Sequence, residues 1–289
     1  MTIKDLLELY LLDKTASGVS PLTAIYYRIC VDKFIQFVGD ISVSELTLPM
    51  LKRYILYLQS QDINSISVRT YARGFRVFVS WLVENDYCAE ELFLKFKLPK
   101  CEKPVVNILS DEEQKRLFAC FDLETTLGLR TYIICMLAFG SGLRRAEIVG
   151  LRMDCIFREF IIVKGKGSKE RVVPITKNMY SLIRRYVSRA RVPDRVYLFL
   201  QSDGKPITIY TIKDLFARLK KQSEIPRLHA HLLRHTFATL YFENGGDIHN
   251  LSDVLGHSSL AMTEKYMHMS RLSVLRDFER LSPANAVMG

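Results

Sequence analysis

The 289-residue sequence predicts a mainly α protein in two parts, an all-helical N-terminal domain and a mixed α+β domain with a small antiparallel sheet. Three observations predict it. Apolar residues recur at three-to-four spacing through the first hundred residues, a stretch with two prolines and three lysines interrupts that period at 96–108, and beyond it the period falls to two once, around a Gly-Lys-Gly turn.

The N-terminal helices are read from "TIKDLLELYLLDKTAS", "PLTAIYYRICVDKFIQFVG", "LTLPMLKRYILYLQSQ" and "SISVRTYARGFRVFVSWLVEN", with Ser20-Pro21 as a cap and first-turn signal. Ser44 to Met50 leads into the third helix. In the fourth, Tyr71, Phe75, Phe78 and Leu82 form an apolar stripe, and Arg69, Arg73 and Arg76 fall on a different face. That arginine face suits phosphates or a major groove, and reads equally well as solvated surface. The expected divisions are a helical domain over 1–95, a basic linker over 96–108 and a second domain over 109–289, opened by the helix-start signal "SDEE".

In the second domain, helices are expected at about 111–121, 126–140 and 145–152. The hairpin "CIFREFIIVKGKGSKERVVPI" follows, then helices at about 176–190, 208–223, 231–243, 248–255, 260–268 and 271–281.

Composition removes several classes. Hydrophobic residues make up 48% with mean hydropathy near zero, so neither disorder nor a collagen-like chain fits. The longest apolar run, Tyr132 to Phe139, is too short to span a bilayer, and the polar start after Met1 carries no signal-like apolar core, so no membrane association and a cytoplasmic location are expected. Six cysteines occur with no CxxC pair and none beside a histidine, which indicates neither zinc nor a disulfide framework. The formal charge of +10 is uneven: residues 1–100 hold 12 Lys and Arg against 11 Asp and Glu, and the remainder holds 29 against 20. A polyanionic partner of the second domain is the implication.

All six histidines fall between 229 and 268, where the chemistry-bearing motifs also gather. "HLLRH" places His231 and Arg234 one helical turn apart, a pair able to hold a phosphate. "SGLRRAE" puts Arg144 after a glycine turn at a helix start, with Glu147 one turn on to orient it or a neighbour. Lys166 occupies the tip of "GKGSK", and its ammonium, unlike a guanidinium, can surrender a proton. "GHSSLAMTEKYMHMS" adds His257 and Tyr266. Displacement at a phosphodiester needs a nucleophile, cations on the non-bridging oxygens and an acid for the leaving alkoxide, and these groups can fill those roles.

Taken in order and spacing, "SGLRRAE", "GKGSKERVVP", "HLLRHTFAT" and "LGHSSLAMTEKY" resemble the tyrosine recombinase family, also called phage-integrase-like recombinases, and the resemblance covers almost the whole chain. It implies a core-binding domain over 1–95 and a catalytic domain over 109–289 with a C-terminal exchange helix. It also implies Arg144 and Arg234 as a phosphate clamp, Lys166 as the acid, His231 as a proton-handling partner, His257 as a phosphate hydrogen-bonder and Tyr266 as the nucleophile. Arg145 departs from the family, which more often has an apolar or small residue there.

The activity so implied is site-specific recombination through a 3′-phosphotyrosyl intermediate, with no metal, cofactor or ATP, because the bond energy is conserved in the protein–DNA link. The implied partner is double-stranded DNA with inverted-repeat core sites, bound by a homotetramer or heterotetramer. A type IB topoisomerase-like enzyme shares this chemistry, and a DNA-binding regulator would share the fold but has no need of Tyr266. The short N-terminus suggests no arm-binding domain and therefore a simple Xer-like or small mobile-element enzyme. Along the tail, Leu272, Leu275, Phe278 and Leu281 share one helical face, suited to a neighbouring protomer or to their own domain.

Overall fold

The computed structural model describes residues 1–101, 108–165, 170–190, 195–256, 278, 279 and 281–285. The chain divides into two compact units, Met1–Val105 and Val106–Gly289, a division that falls within 96–108.

The first unit comprises α1 (Ile3–Ala16), α2 (Pro21–Val38), α3 (Leu48–Ser60), α4 (Ser65–Glu84) and the short α5 (Glu90–Lys95). Local sequence sets the starts. Ser20 Oγ accepts from the Thr23 amide at 3.3 Å ahead of Pro21, and Asn64 Oδ1 accepts from the Ser67 amide at 2.8 Å to open α4. Before α3, a 3-10 turn at Val43–Glu45 precedes the cap, which is Thr47.

Aromatic rings knit these helices together. Phe34 of α2 stacks on Phe75 of α4 with centroids 4.1 Å apart, and Tyr54 of α3 stands edge-on to both. Tyr10 of α1 packs on Phe78 and Trp81, whose indole donates to Asp13 at 3.0 Å. Each fully buried ring contributes roughly 1.5–3 kcal/mol to the stability of the unit.

The second unit opens with α6 (Asp111–Ala119), α7 (Thr126–Ser141) and α8 (Arg145–Val149), continues through β1 (Phe160–Lys164) and β2 (Glu170–Pro174), and ends its described helices with α9 (Lys177–Ala190), α10 (Ile209–Gln222), α11 (Ala230–Glu243) and α12 (Ile248–Leu255). The "SDEE" signal forms a reciprocal capping box between Ser110 and Glu113. α8 is shorter than its expected 145–152, because Gly150 closes it and Arg152 then pairs with Tyr197.

Around α7 the unit is built as a core about one helix. From Tyr132 through Ser141 every residue is buried, so the apolar run of the sequence is a helix hydrophobic on all sides. Phe237 and Tyr241 of α11 and Met179, Ile183 and Tyr186 of α9 belong to the same core. The hairpin pairs antiparallel, with Ile161 opposite Val173 and Val163 opposite Arg171, and these four residues are buried. An arginine thus occupies a core-facing register position.

The described end of the tail packs into this same core. Phe278, Leu281 and Ala284 are buried in it, Phe278 lies 6.1 Å from Phe237 between ring centroids, and the Ser282 hydroxyl donates to the Gly140 carbonyl at 2.8 Å. Of the residues expected to form a face for a neighbouring protomer, Phe278 and Leu281 are therefore own-chain core, while Leu272 and Leu275 lie outside the described residues, as do the helices expected at 260–268 and, up to 277, at 271–281.

Candidate functional site

Four chain segments converge where α7, α8 and α12 end or begin. α7 terminates at Gly142, whose φ of +65° is the left-handed conformation that ends helices, and a Cβ there would lie 2.7 Å from Phe237 Cδ1. This glycine turn delivers Leu143 to the core and Arg144 to the first position before α8.

Arg144 makes two kinds of contact. Its Nη1 donates to Glu147 Oε1 at 3.0 Å and its Nη2 to the Gly256 carbonyl at 3.0 Å, while its backbone N–H donates to Glu147 Oε2 at 2.7 Å. Backbone N–H groups at a helix start ordinarily favour an external anion. Glu147 instead takes the Arg144 N–H, so the cationic attraction of this corner comes from the side chain.

Glu147 is buried and carries a second, closer guanidinium. Arg171 Nη1 and Nη2 donate to its two oxygens at 2.6 and 2.9 Å, and Arg171 Nε donates to the Val254 carbonyl at 2.8 Å. Burial pushes the Glu147 pKa up, but the Arg171 bonds and charge, with the Arg144 bonds, outweigh it and hold the carboxyl below its ordinary range. Glu147 thus bonds both Arg144 and Arg171 of β2.

On the second turn of α11, Arg234 is buried and donates to the Gly142 carbonyl at 2.5 Å and the Leu255 carbonyl at 2.7 Å. These are end-of-helix carbonyls of α7 and α12, which lack intrahelical donors and carry the negative end of each helix dipole, a natural seat for a cation. Burial first, then the nearby Arg144 charge, lowers the Arg234 pKa to about 10, which leaves it protonated at neutral pH. His231, three residues earlier, keeps an exposed edge, and its pKa is pushed down first by the desolvation of its packed side and then by the neighbouring His229, Arg234, His235 and Arg145. The shift favours the neutral imidazole.

α12 ends at Gly256, with φ of +60°. A Cβ on it would lie 2.8 Å from Arg171 Cδ and 2.9 Å from Arg171 Nε, so only glycine both adopts this turn and lies against that guanidinium. This explains the glycine of the Gly256-His257 pair: its backbone lies against Arg171 while its carbonyl accepts from Arg144.

The structure thus brings together Arg144, Glu147 and Arg234, with His231 on the neighbouring turn. Lys166, His257 and Tyr266 lie outside the described residues. Arg171 was missed from the sequence, although the two-residue period that places Val173 inward places Arg171 inward too. The stripe on α4 divides: Arg69 donates to the Pro99 carbonyl at 2.6 Å and Arg76 stacks over the Phe93 ring at 4.3 Å, both half-buried, whereas Arg73 is exposed.

A helical unit, followed by a unit in which two arginines and a buried carboxylate gather beside a two-stranded hairpin, defines a class. The phage integrase family pattern matches residues 107–272 and the phage integrase SAM-like domain matches residues 4–98. The chain belongs to the phage integrase family and is a tyrosine-type site-specific recombinase, an enzyme that breaks and rejoins DNA.

Within the family its relatives include the tyrosine recombinase XerC of Oceanobacillus iheyensis, 30% identical over 267 residues and 88% of each chain. The tyrosine recombinase XerD of Listeria monocytogenes serovar 1/2a is 27% identical over 296 residues, 97% of this chain and 98% of the relative. In fold it is similar to the Tn1549 transposon integrase in complex with transposon right end DNA, with TM-score 0.73, 19% identity and 96% and 98% of the two chains covered.

Proposed function

We propose that this recombinase uses Tyr266 as its nucleophile and Arg144 and Arg234 as its phosphate clamp, acting on double-stranded DNA with inverted-repeat core sites. The Tyr266 oxygen attacks the scissile phosphorus in line, a P–O bond to the phenol forms as the bond to the 5′ oxygen breaks, and a 3′-phosphotyrosyl link and a free 5′ hydroxyl result. A free phenol titrates near pH 10, so attack at neutral pH needs an acceptor for its proton. His231, whose neutral form is favoured, suits that role. Lys166 donates the proton to the departing 5′ oxygen and His257 bonds the phosphate.

The observation that carries this reading is the pair of guanidiniums on successive carbonyls at the end of α12, Arg234 on Leu255 and Arg144 on Gly256. Two fixed cations beside one helix terminus suit a phosphodiester whose charge grows in the transition state. Rejoining is the reverse attack by a 5′ hydroxyl, so metal and ATP have no step to perform. The working unit is a homotetramer or heterotetramer on two DNA sites, in the cytoplasm. No described helix is long and apolar enough to cross a membrane.

The test is covalent capture on a nicked core-site duplex in EDTA. Wild type is expected to become trapped on DNA, and Tyr266→Phe to bind the duplex without being trapped. Undiminished trapping by Tyr266→Phe would remove Tyr266 from this role, and loss of wild-type trapping in EDTA would point to a metal enzyme.

A further inference from the structure

Glu147 stands between two guanidiniums that use it differently. Arg171 grips both carboxylate oxygens with a fork, at 2.6 and 2.9 Å, while the Arg144 side chain touches one oxygen at 3.0 Å. Arg171 spends its third donor, Nε, on the Val254 carbonyl and its side chain is 7% exposed, so it has no face left for a ligand. The Arg144 side chain is 34% exposed. Two guanidiniums and one carboxylate leave a net charge of +1, and the geometry assigns it to the exposed partner.

We propose that Arg171 is a positioning residue that supplies the countercharge of Glu147, so that the charge of Arg144 remains available to the DNA phosphate; this rests on the clamp role given to Arg144 above. Without Arg171, the buried carboxylate would have Arg144 as its nearest cation, and a phosphodiester would compete with it for the same guanidinium. At short range in a poorly solvated corner that competition is severe. Arg171 also fixes the second anchor of Arg144. Its guanidinium lies against Gly256 and bonds Val254 two residues earlier, which sets the direction of the Gly256 carbonyl that receives Arg144 Nη2. Both routes end at the orientation and free charge of one side chain.

A purely structural ion pair would also be buried and bidentate, so the test must read charge at the phosphate. Covalent capture is measured with the full-length protein on nicked core-site duplexes carrying either the ordinary scissile phosphodiester or a methylphosphonate, in which one charged oxygen is replaced by methyl. The variants are Arg144→Ala, Arg171→Gln and the double variant Glu147→Gln/Arg171→Gln.

On the phosphodiester, Arg171→Gln is expected to lose about tenfold to a hundredfold in cleavage rate, the scale of a misplaced clamp. On the methylphosphonate most of that loss should disappear, as it should for Arg144→Ala. The double variant, with no buried carboxylate to satisfy, should recover cleavage of the phosphodiester relative to Arg171→Gln. Equal losses on both substrates, or a double variant no faster than Arg171→Gln, would overturn the proposal and leave Arg171 a fold-stabilising residue. An Arg144→Ala defect that the methylphosphonate does not relieve would instead overturn the clamp assignment itself, and would be seen without any Arg171 variant.

Discussion

Arg144 and Arg234 hold consecutive peptide carbonyls, Gly256 and Leu255, at 3.0 and 2.7 Å. The two arginines come from segments 90 residues apart, yet the end of α12 spaces them by one peptide unit. The helix terminus therefore offsets part of their mutual repulsion and fixes their separation together.

Replacing Arg234 should cost stability as well as cleavage. Arg234→Ala removes two hydrogen bonds from a charged donor to buried helix-end carbonyls, a loss of about 3 kcal/mol. The urea midpoint of the second unit should fall accordingly, and covalent capture should vanish. An unchanged midpoint would show that the carbonyls of Gly142 and Leu255 are satisfied without it.

Gly256→Ala tests the turn. The left-handed backbone costs an alanine about 1–2 kcal/mol, and its Cβ would crowd the Arg171 guanidinium. Thermal unfolding should come earlier and cleavage should slow, because Arg171 must shift and the Gly256 carbonyl with it. Gly204→Ala, also at positive φ but with nothing within 4 Å, should show the backbone cost alone and leave cleavage intact.

The lowered pKa of His231 has a definite sign. Its folded value lies below the ordinary 6.5, so the unfolded chain takes up a proton first as pH falls. The stability associated with a neutral His231 is present above pH 6.5 and is lost as pH drops from there through the folded value. His231→Gln should flatten stability against pH in that window, and should also abolish the acid limb of the cleavage profile. A profile whose acid limb survives in His231→Gln would assign that limb to another group.

For DNA affinity, the three arginines of α4 should separate. Arg73→Gln should weaken duplex binding and reduce its salt dependence, with only a small effect on the unfolding of the first unit through its bond to the partly buried Tyr26 hydroxyl. Arg69→Gln and Arg76→Gln should lower the stability of that unit, since they remove the Pro99 bond and the Phe93 stacking. Equal effects of all three on binding alone would return the stripe to a uniform DNA-contacting face.

Phe278→Ala should destabilise the second unit by about 3–5 kcal/mol, as expected for a truncated core aromatic. A deletion spanning 271–289 therefore removes core residues as well as tail, and its effects on assembly are read only against this loss of stability. A deletion that leaves the unfolding transition unchanged would contradict the packing of Phe278 on Phe237.

What the sequence made legible follows from where information is local. Helix starts such as Ser20-Pro21 and Ser110-Asp-Glu-Glu113 are written in capping residues and were read within a residue or two. Arg171 was not, because a charged residue in a basic hairpin reads as solvent-facing until its partner Glu147, 24 positions earlier, is brought beneath it. Phe278 and Leu281 posed the converse difficulty: their spacing shows an apolar face, but periodicity cannot say which surface covers it. The division of the α4 arginines likewise depended on Pro99 and Phe93, which lie beyond the helix that carries the pattern.

The contacts that define the second unit join residues very distant along the chain: Leu109 with Thr236 over 127 positions, Arg144 with Gly256 over 112, and Gly140 with Ser282 over 142. Such topology makes folding slow, since long loops must close before their contacts repay the entropy. On a ribosome adding about 5–20 residues per second, the first unit can complete its aromatic core while the second still lacks the partners of α7. A growing chain can therefore fold its helical unit early, but the arginine pair assembles only after α12 has emerged. A nascent chain that stops short of Gly256 thus lacks the carbonyls that seat both guanidiniums.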